Sequence, residues 1–408
     1  MSSQPPQGAR LTLVRLLARA RLLGAGLSGG EAVVGHHNRN LILPVGGPLA
    51  RLLGLESGQV PAKFRVPLRT VEVVPRLWPE SAVLSAVGER LDDVPRCLAD
   101  FGSWSLHDYV PGRVLAEETP KGPVGDVRLA AFADFFARLV SVPADALPTP
   151  PADWPRSPDT TAFLCRLARF AEERVHLANR PRFGALFDRV GIPHDAVERF
   201  LTTPRALLPR PFCLLHTDVH RGNVVVDRTP LGERLSVVDW ELALYGDPLH
   251  DLATHLVRMD YDDTERRVLT DLWADSLTAA GHARMTAGLD RDLGAYLDFE
   301  YVQSLFPDVM RAALALPDEP ADGDFRQGAE RVHRALCRAW GPLGRTDEPI
   351  GEQQAEAALR AWHADHGPGA GSRPPSHPDT ATSPGPPAPG PAPAPRGAVR
   401  RTAAGAGA

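Results

Sequence analysis

The sequence predicts an α+β protein of two lobes, in which a small β-rich lobe precedes a larger, mainly helical lobe. At 408 residues the chain is longer than a single hydrophobic core usually supports. Short apolar runs separated by turn residues dominate as far as residue 110, and helical periodicity dominates beyond it. Alternating βα units do not occur in the sequence, which argues against a TIM barrel and against a Rossmann sheet.

Composition and charge exclude several classes of protein. Apolar residues make up 43% of the chain and charged residues 23%, which is typical of a soluble globular protein. The net charge of −5 argues against a dedicated nucleic-acid-binding protein. The four cysteines lie far apart, without the spacing of a disulfide framework or a zinc site. Reduced thiols in the cytoplasm are therefore the expected state of these cysteines. No apolar run reaches the ~18–20 residues of a membrane span, so no membrane segment is expected. The sequence also indicates no obligate protein partner.

The N-terminal lobe is expected at residues 9–110, after a disordered segment at residues 1–8. Residues 10–27 have the arginine-rich, acid-free composition of a targeting segment. We interpret them instead as the first helix, because a folded domain follows without a spacer. The leucines on one side of this helix are Leu13, Leu16, Leu17 and Leu23.

Short strands and one helix make up the rest of this lobe. Gly35–Asn40 contains Gly and Asn residues that tolerate the positive φ of a hairpin turn. Lys63 and Arg65 share one face of the third strand because side chains alternate along a strand. Glu80 lies in the first turn of a helix predicted at residues 79–90. The expected strands are Leu27–Val34, Leu41–Val45, Val60–Val66 and Val71–Val74, with further strands within Val94–Val110.

The C-terminal lobe is expected at residues 111–366, followed by a disordered Pro/Ala/Gly-rich tail at 367–408. The tail has too few apolar residues to form a core. In the lobe itself, Asp126 is the expected cap of the first helix. The predicted helices are Asp126–Val140, Thr160–Leu177, Asp195–Leu201, Pro248–Arg258, Thr264–Ala280, Leu293–Leu316, Phe325–Trp340 and Gln353–His366.

The stretch from Phe212 to Glu241 carries the candidate chemistry. Three short apolar runs read as buried strands, and His216, Asp218 and Asn223 lie in the loop after the first of them. Asp239 follows the third run. Phosphoryl transfer from a magnesium nucleotide needs a carboxylate to receive a hydroxyl proton and oxygen ligands for the metal. This pattern therefore predicts Asp218 as the base and Asn223 and Asp239 as Mg²⁺ ligands.

The phosphate donor, ATP or GTP, is expected to contact the N-terminal lobe. The chain has only two lysines, Lys63 and Lys121, and Lys63 stands on the predicted third strand. Lys63 could reach the α- and β-phosphates, held there by Glu80, and Arg65 could share this role. Backbone N–H groups of the Gly35–Asn40 turn would cover the phosphates, and Gly35 and Asn38 are expected to contact the nucleotide.

Three motifs resemble the aminoglycoside phosphotransferase/choline kinase family, which has a protein-kinase-like fold. They are HTDVHRGN at 216–223, DWE at 239–241 and GDPLHDLA at 246–253. The resemblance implies the same roles for the base and the two metal ligands. It also implies that Val110 lies near the adenine-binding hinge, and that Asp251 and His216 support the loop that carries the base.

Two other classes remain open, as does the acceptor. The protein could be a non-catalytic nucleotide- or ligand-binding relative, or a metal-dependent hydrolase that uses His216, Asp218 and His220. The small-molecule acceptor is not specified by any motif. Acidic residues that could attract a cationic acceptor are Asp260, Asp262, Asp263, Glu265, Asp298, Glu300 and Asp308, although helix capping and the helix dipole explain the first four better.

Overall fold

Two hydrophobic cores divide the protein into a small lobe built on one sheet and a larger, mainly helical lobe. The computed structural model describes residues 7–28, 31–34, 38–55, 60–67, 73–202, 206–230 and 232–367. Within them the predicted α+β, two-lobed architecture is confirmed. The predicted disordered ends lie outside the described residues, apart from Gln7 and Gly8, which begin the first helix, and Gly367.

The small lobe is a five-stranded antiparallel sheet with three helices. The strand order is β1-β2-β3-β5-β4. At its centre Lys63 pairs with Ile42 on one side and with His107 on the other, so β3 is flanked by strands along the stretch that carries Lys63 and Arg65. The elements are α1 (Gln7–Ser28), β1 (Glu31–Val34), β2 (Asn38–Val45), α2 (Gly47–Leu53), β3 (Val60–Pro67), α3 (Glu80–Val87), β4 (Cys97–Asp100) and β5 (Ser105–Asp108).

Helix α1 belongs to the folded lobe, but its buried side differs from the predicted one. Val14 and Ala18 are buried in the small core, and Leu17 and Leu22 pack partly against it. These residues form an i, i+4 stripe that fits the narrow contact of one helix on a sheet. The expected side was wrong, because Leu13, Leu16 and Leu23 are exposed.

Strand boundaries in the small lobe also differ from the prediction. Leu27 belongs to α1 rather than to the first strand. Residues 38–40 continue β2, paired with residues 65–67, so the loop between the first two strands is shorter than expected. Gly35 lies outside the described residues. Val73 and Val74 form no strand, and the rest of that predicted strand lies outside the described part of the chain.

Helix α3 lies between β3 and β4 in the sequence but packs in the large core. Its buried residues Val83, Leu84 and Val87 join the large hydrophobic cluster, not the cluster under the sheet. The helix therefore stands between the lobes, with Glu80 at its first turn. The expected boundary at residue 110 stays a prediction.

The large lobe contains ten helices and five short strands among the described residues. None of the helices in the described ranges has the length and apolar character of a membrane span. The elements are β6 (Arg113–Val114), α4 (Leu115–Glu118), α5 (Asp126–Val140), α6 (Thr160–Phe170), α7 (Ala178–Arg189), α8 (Ala196–Thr202), β7 (Cys213–Leu215), β8 (Val224–Thr229), β9 (Gly232–Val237), β10 (Leu244–Gly246), α9 (Pro248–Met259), α10 (Asp263–Ala279), α11 (Leu289–Leu314), α12 (Asp322–Trp340) and α13 (Glu352–His366).

Two details of the predicted helices were wrong. Asp126 is the first residue of α5 rather than its cap, which is Gly125, and its carboxylate stands at the positive end of the helix. The helix expected to end at Leu177 continues through a π-helical segment, residues 171–177, into α7. Pro181 lies inside α7, although a proline in the sequence usually predicts that a helix is interrupted.

The chain crosses from the small sheet to the large lobe at Gly112. Its φ of +127° is open to glycine, and a Cβ there would lie 2.4 Å from the carbonyl oxygen of Val226. This close approach lets β6 join β8 and β9 in a three-stranded sheet, while β7 pairs with β10. The two small sheets hold the loops that follow β7 and β9. Val110, half-buried, lies just before this crossing.

Candidate active site

The loop at residues 216–223, here called the Asp218 loop, is hydrogen-bonded to α9. Asp251, in the first turn of α9, accepts hydrogen bonds of 2.8 Å from the backbone N–H groups of both His216 and Thr217. Thr217 has a φ of +61°, which is costly for a β-branched residue. Its hydroxyl donates to the carbonyl of Leu242. Through its two hydrogen bonds, Asp251 supports the start of the Asp218 loop.

Two buried histidines also support this loop. Nδ1 of His216 accepts the backbone N–H of Asp218 at 3.2 Å, and the His216 ring packs edge-on against Trp240. His255 in α9 contacts the carbonyl of Val219 through Nδ1 at 2.8 Å. Burial lowers the pKa of His216 to about 4 and that of His255 to about 3. Both rings are therefore neutral at neutral pH.

Three side chains, those of Asn223, Arg258 and His220, lie against the Asp218 carboxylate. The amide nitrogen of Asn223 donates to the Asp218 carbonyl and to Oδ2, each at 3.0 Å. Arg258, in the last turn of α9, donates to Oδ1. His220 Nε2 lies 3.6 Å from the same oxygen, while its Nδ1 accepts the Gly222 N–H. The carboxylate stays partly accessible, with 13% of its side chain exposed.

Sequence reasoning missed two arginines that order the surroundings of the loop. Arg221 donates to three carbonyls, those of Thr119, Gly122 and Met259, and so joins the loop to the segment after α4. Arg210 is fully buried and bonds to Asp247 and Asp292. The signal for Arg210 in the sequence is faint. An arginine before a buried strand shows its partners only after folding.

Asp239 stands at a left-handed turn that follows β9. Its φ is +72° and its ψ +64°. The backbone N–H of the preceding residue, Val238, bonds to the carbonyl of Asn223 at 2.9 Å, so the turn lies beside the Asp218 loop. The backbone N–H of Trp240 donates to Glu80 at 2.9 Å, which ties the turn to α3. Asn223, Asp239 and Glu80 are thus brought into one region.

Arg65 is the centre of this region. Its Nε lies 2.8 Å from Glu80, and its Nη2 donates to Asp239 and lies 3.5 Å from Glu241. Only 4% of the arginine side chain is exposed. We call these residues, together with Lys63, the Arg65 cluster.

The expected pairing of Lys63 with Glu80 was therefore wrong. Among the described residues, no ion pair within 4 Å joins Lys63 to a carboxylate, and Glu80 is paired with Arg65. A guanidinium presents several donors in a fixed plane, so it can bridge Glu80 and Asp239 at once. Lys63 stands two residues earlier on β3, roughly 6.6 Å along the strand.

Charge and burial set the ionisation of the cluster. Burial lowers the pKa of Lys63, and the neighbouring Arg65 lowers it further. Burial works against ionisation of Asp239, but the adjacent Arg65 holds the pKa of this carboxyl below its usual value. Asp239 is thus maintained as a carboxylate.

The donor atoms fit a magnesium ion. Asn223 turns its amide nitrogen to Asp218, which leaves Oδ1 without a hydrogen bond from the described residues. Oδ2 of Asp239 likewise accepts none from them. An amide and a carboxylate oxygen are ligands that Mg²⁺ prefers. In the described ranges, no group of three His, Cys, Asp or Glu side chains is arranged around a metal, and His216 is engaged with the loop backbone instead.

A cleft of about 380 Å³ is lined in part by Asp218. The other lining residues are His220, Val73, Val74 and Asp260, together with residues of α9, α11 and α12. We call it the arginine cleft, after Arg258, Arg311, Arg334 and Arg338.

Four of the acidic residues that could attract a cationic acceptor have partners within the protein. Asp262 caps α10 through the N–H groups of residues 264 and 265. Glu265 accepts the N–H groups of Val124 and Gly125. Asp260 pairs with Arg338, and Glu300 is buried against Thr254 and Gln303. Capping and local pairing account for these positions.

Comparison with known proteins shows the family of this chain. The sequence model of the phosphotransferase enzyme family (APH) matches residues 55–288, more than half of the chain. No sequence among curated proteins matches.

Solved structures of low sequence identity are also similar. An ethanolamine kinase from Plasmodium vivax is 12% identical over 75% of this chain and 81% of its own, with a TM-score of 0.48. A choline/ethanolamine kinase family protein from Mesorhizobium loti is 18% identical over 85% and 99%, with a TM-score of 0.44. A choline kinase from Streptococcus pneumoniae is 14% identical over 80% and 99%, with a TM-score of 0.44. On the family match, the chain belongs to the phosphotransferase enzyme family.

Proposed function

We propose that the protein transfers the γ-phosphoryl group of ATP or GTP to a hydroxyl group of a small molecule. The observation that carries this proposal is the convergence on one point of Asp218, Asn223 and the Asp239 turn. The Asn223 amide bonds to Asp218, and the Asn223 carbonyl bonds to the residue before Asp239. The proposed base therefore lies beside Asn223 and the Asp239 turn, which carry the two proposed oxygen ligands, and this arrangement supports phosphoryl transfer.

In the proposed reaction Asp218 receives the proton of the acceptor hydroxyl. The hydroxyl oxygen forms a bond to the γ-phosphorus while the bond from that phosphorus to the β,γ-bridging oxygen breaks, and a nucleoside diphosphate leaves. Arg258 and Asn223 orient the carboxylate through one oxygen each. Each carboxylate oxygen has two lone pairs, so both retain capacity to accept the hydroxyl.

The Arg65 cluster supplies the donor side in this proposal. Lys63 and Arg65 would contact the phosphates, and Nη1 of Arg65 is a buried donor without a partner among the described residues. Glu80 keeps Arg65 in place. Asn223 and Asp239 would hold Mg²⁺, which when bound offsets phosphate charge. Gly35, Asn38 and Val110 stay proposed nucleotide contacts.

The test is the substitution Asp218→Asn in the full chain. We expect magnesium-nucleotide binding, measured by calorimetry, to persist, because Asp218 is assigned to the acceptor proton. Acceptor-dependent nucleotide consumption should fall by about 10²–10⁴-fold. Asp271→Asn, an exposed carboxylate on α10, is the matched control and should leave both unchanged.

Each outcome discriminates. Turnover unchanged in Asp218→Asn would show that the base is assigned wrongly. Nucleotide binding without turnover of any acceptor would favour a non-catalytic binding protein of the same family. Absence of nucleotide binding by the unmodified chain would contradict the proposal as a whole.

A further inference from the structure

The arginine cleft carries more guanidinium groups than carboxylates. Three acids among its described lining residues each contact an arginine: Asp218 contacts Arg258, Asp308 contacts Arg311 at 3.2 Å, and Asp260 contacts Arg338 at 2.8 Å. The remaining arginine, Arg334 of α12, is exposed and makes no ion pair with the described residues. The described lining therefore has one positive charge left over, in the same cleft that the proposed base lines.

We propose that the acceptor carries a negative charge, as a carboxylate or a phosphate, and that the arginine cleft binds this anion. The inference rests on the proposed function, because it concerns the acceptor of the same reaction. Guanidinium groups bind carboxylate and phosphate oxygens with two parallel hydrogen bonds, which suits them to this task.

The placement of the arginines gives the acceptor an orientation. Arg334 and Arg338 are four residues apart on α12 and lie on the same face of the helix. Arg311 comes from α11, which packs against α12. Asp218 belongs to the same lining. An acceptor held by its anionic group at α12 would present its remaining groups, hydroxyls included, to Asp218.

The lining disfavours cationic acceptors. Quaternary ammonium groups are commonly held by aromatic faces, and the described lining residues include no Phe, Tyr or Trp. The apolar part of the lining consists of Val73, Val74, Val257 and Pro307. A polyamine would need acids with free charge, whereas each acid here already contacts an arginine. The volume suits a small metabolite.

Binding to the full chain tests the inference without requiring turnover. Calorimetry would compare molecules that share a carbon scaffold and differ in charge. On one scaffold these are glycerol, glycerate, glycerol 3-phosphate and serinol; on the other, glucose, gluconate, glucose 6-phosphate and glucosamine. We expect an anionic member to bind about tenfold more tightly than its neutral and cationic counterparts. The carboxylate and phosphate members show which anion is preferred.

Substitutions in α12 assign the binding to the cleft. Arg334→Gln should weaken binding of the anionic compound about tenfold, and Arg334→Lys should restore part of it. Arg331→Gln, an exposed arginine on the same helix outside the described lining, is the control and should have no effect. Nucleotide affinity should be the same in all three variants.

The inference is overturned if no anionic compound binds, if the neutral or cationic counterparts bind as tightly, or if Arg334→Gln leaves the affinity unchanged. Phosphorylation of a cationic acceptor alone would overturn it while supporting phosphotransfer. Anion binding by a chain that does not bind magnesium nucleotide would instead contradict the proposed function and keep the anion site.

Discussion

The Arg65 cluster contains Asp239, the lining of the arginine cleft contains Asp218, and the two regions distribute charge in different ways. In the cluster one buried guanidinium is shared by three carboxylates, those of Glu80, Asp239 and Glu241, and Arg76 reaches Glu241 from the rim. In the cleft each carboxylate pairs with a different arginine, and Arg334 makes no ion pair with the described residues.

This difference in charge pairing indicates which kind of ligand each of the two regions favours. Carboxylates that share one guanidinium keep oxygens free for a further cation, as Oδ2 of Asp239 does. A cleft with an unpaired guanidinium favours an anion. Burial adds a second contrast, because a buried charge is costly to leave unpaired and an exposed charge is not.

The largest expected effect comes from removing the shared cation. Arg65→Met leaves three neighbouring carboxylates without their common partner, and breaking a buried pair in this way typically costs about 3–5 kcal/mol of unfolding free energy. Urea unfolding measures it. Arg334→Met, the same change in the cleft, should alter stability by no more than about 0.5 kcal/mol. Equal losses in the two variants would remove the contrast in burial.

An effect of intermediate size concerns the two histidines that support the Asp218 loop. His216 and His255 have folded-state pKa values of about 4 and about 3, lowered by burial. In the unfolded chain histidine titrates near 6.5, so the unfolded state binds more protons below that pH. The stability is therefore fully present above pH ~6.5 and falls as the pH drops toward the folded values.

Chemical unfolding at pH 7 and at pH 5 tests this dependence. Each histidine should contribute a loss of about 2 kcal/mol between these pH values. His255→Gln should be less stable at pH 7, because the contacts with Val219 and Tyr261 are altered. Its loss on acidification should be smaller than that of the unmodified chain by the same amount. An unchanged loss would show that His255 is not a neutral group in the folded protein.

The smallest effect sharpens the assignment of the cleft. Asp260→Asn releases Arg338, and asparagine tolerates the positive φ of 55° at this position. The Asp260 side chain is 77% exposed, so the stability should change by no more than about 0.5 kcal/mol. Affinity for gluconate or glucose 6-phosphate should rise about two- to threefold, measured by calorimetry. Weaker binding of the anion would contradict the charge argument.

Local pattern was sufficient for much of the fold. The helices α9 to α13 lie within a few residues of the periodicity that predicts them, because each buries one apolar face. It failed where a longer-range contact decides. Leu13, Leu16 and Leu23 are as apolar as any core residue, yet α1 meets the sheet along Val14 and Ala18. No property of the α1 sequence alone states which stripe the sheet will cover.

The sequence by itself determined the order and spacing of the residues proposed to carry out phosphotransfer. Asp218, Asn223 and Asp239 follow short apolar runs at fixed spacing, so strands and turns bring them together. The tertiary structure alone decided their partners. Glu80 is bound by Arg65 rather than by Lys63, Asp218 is bound by Arg258, and Arg334 makes no ion pair among the described residues. Ion pairs between distant segments depend on how helices and strands pack, which spacing along the chain does not encode.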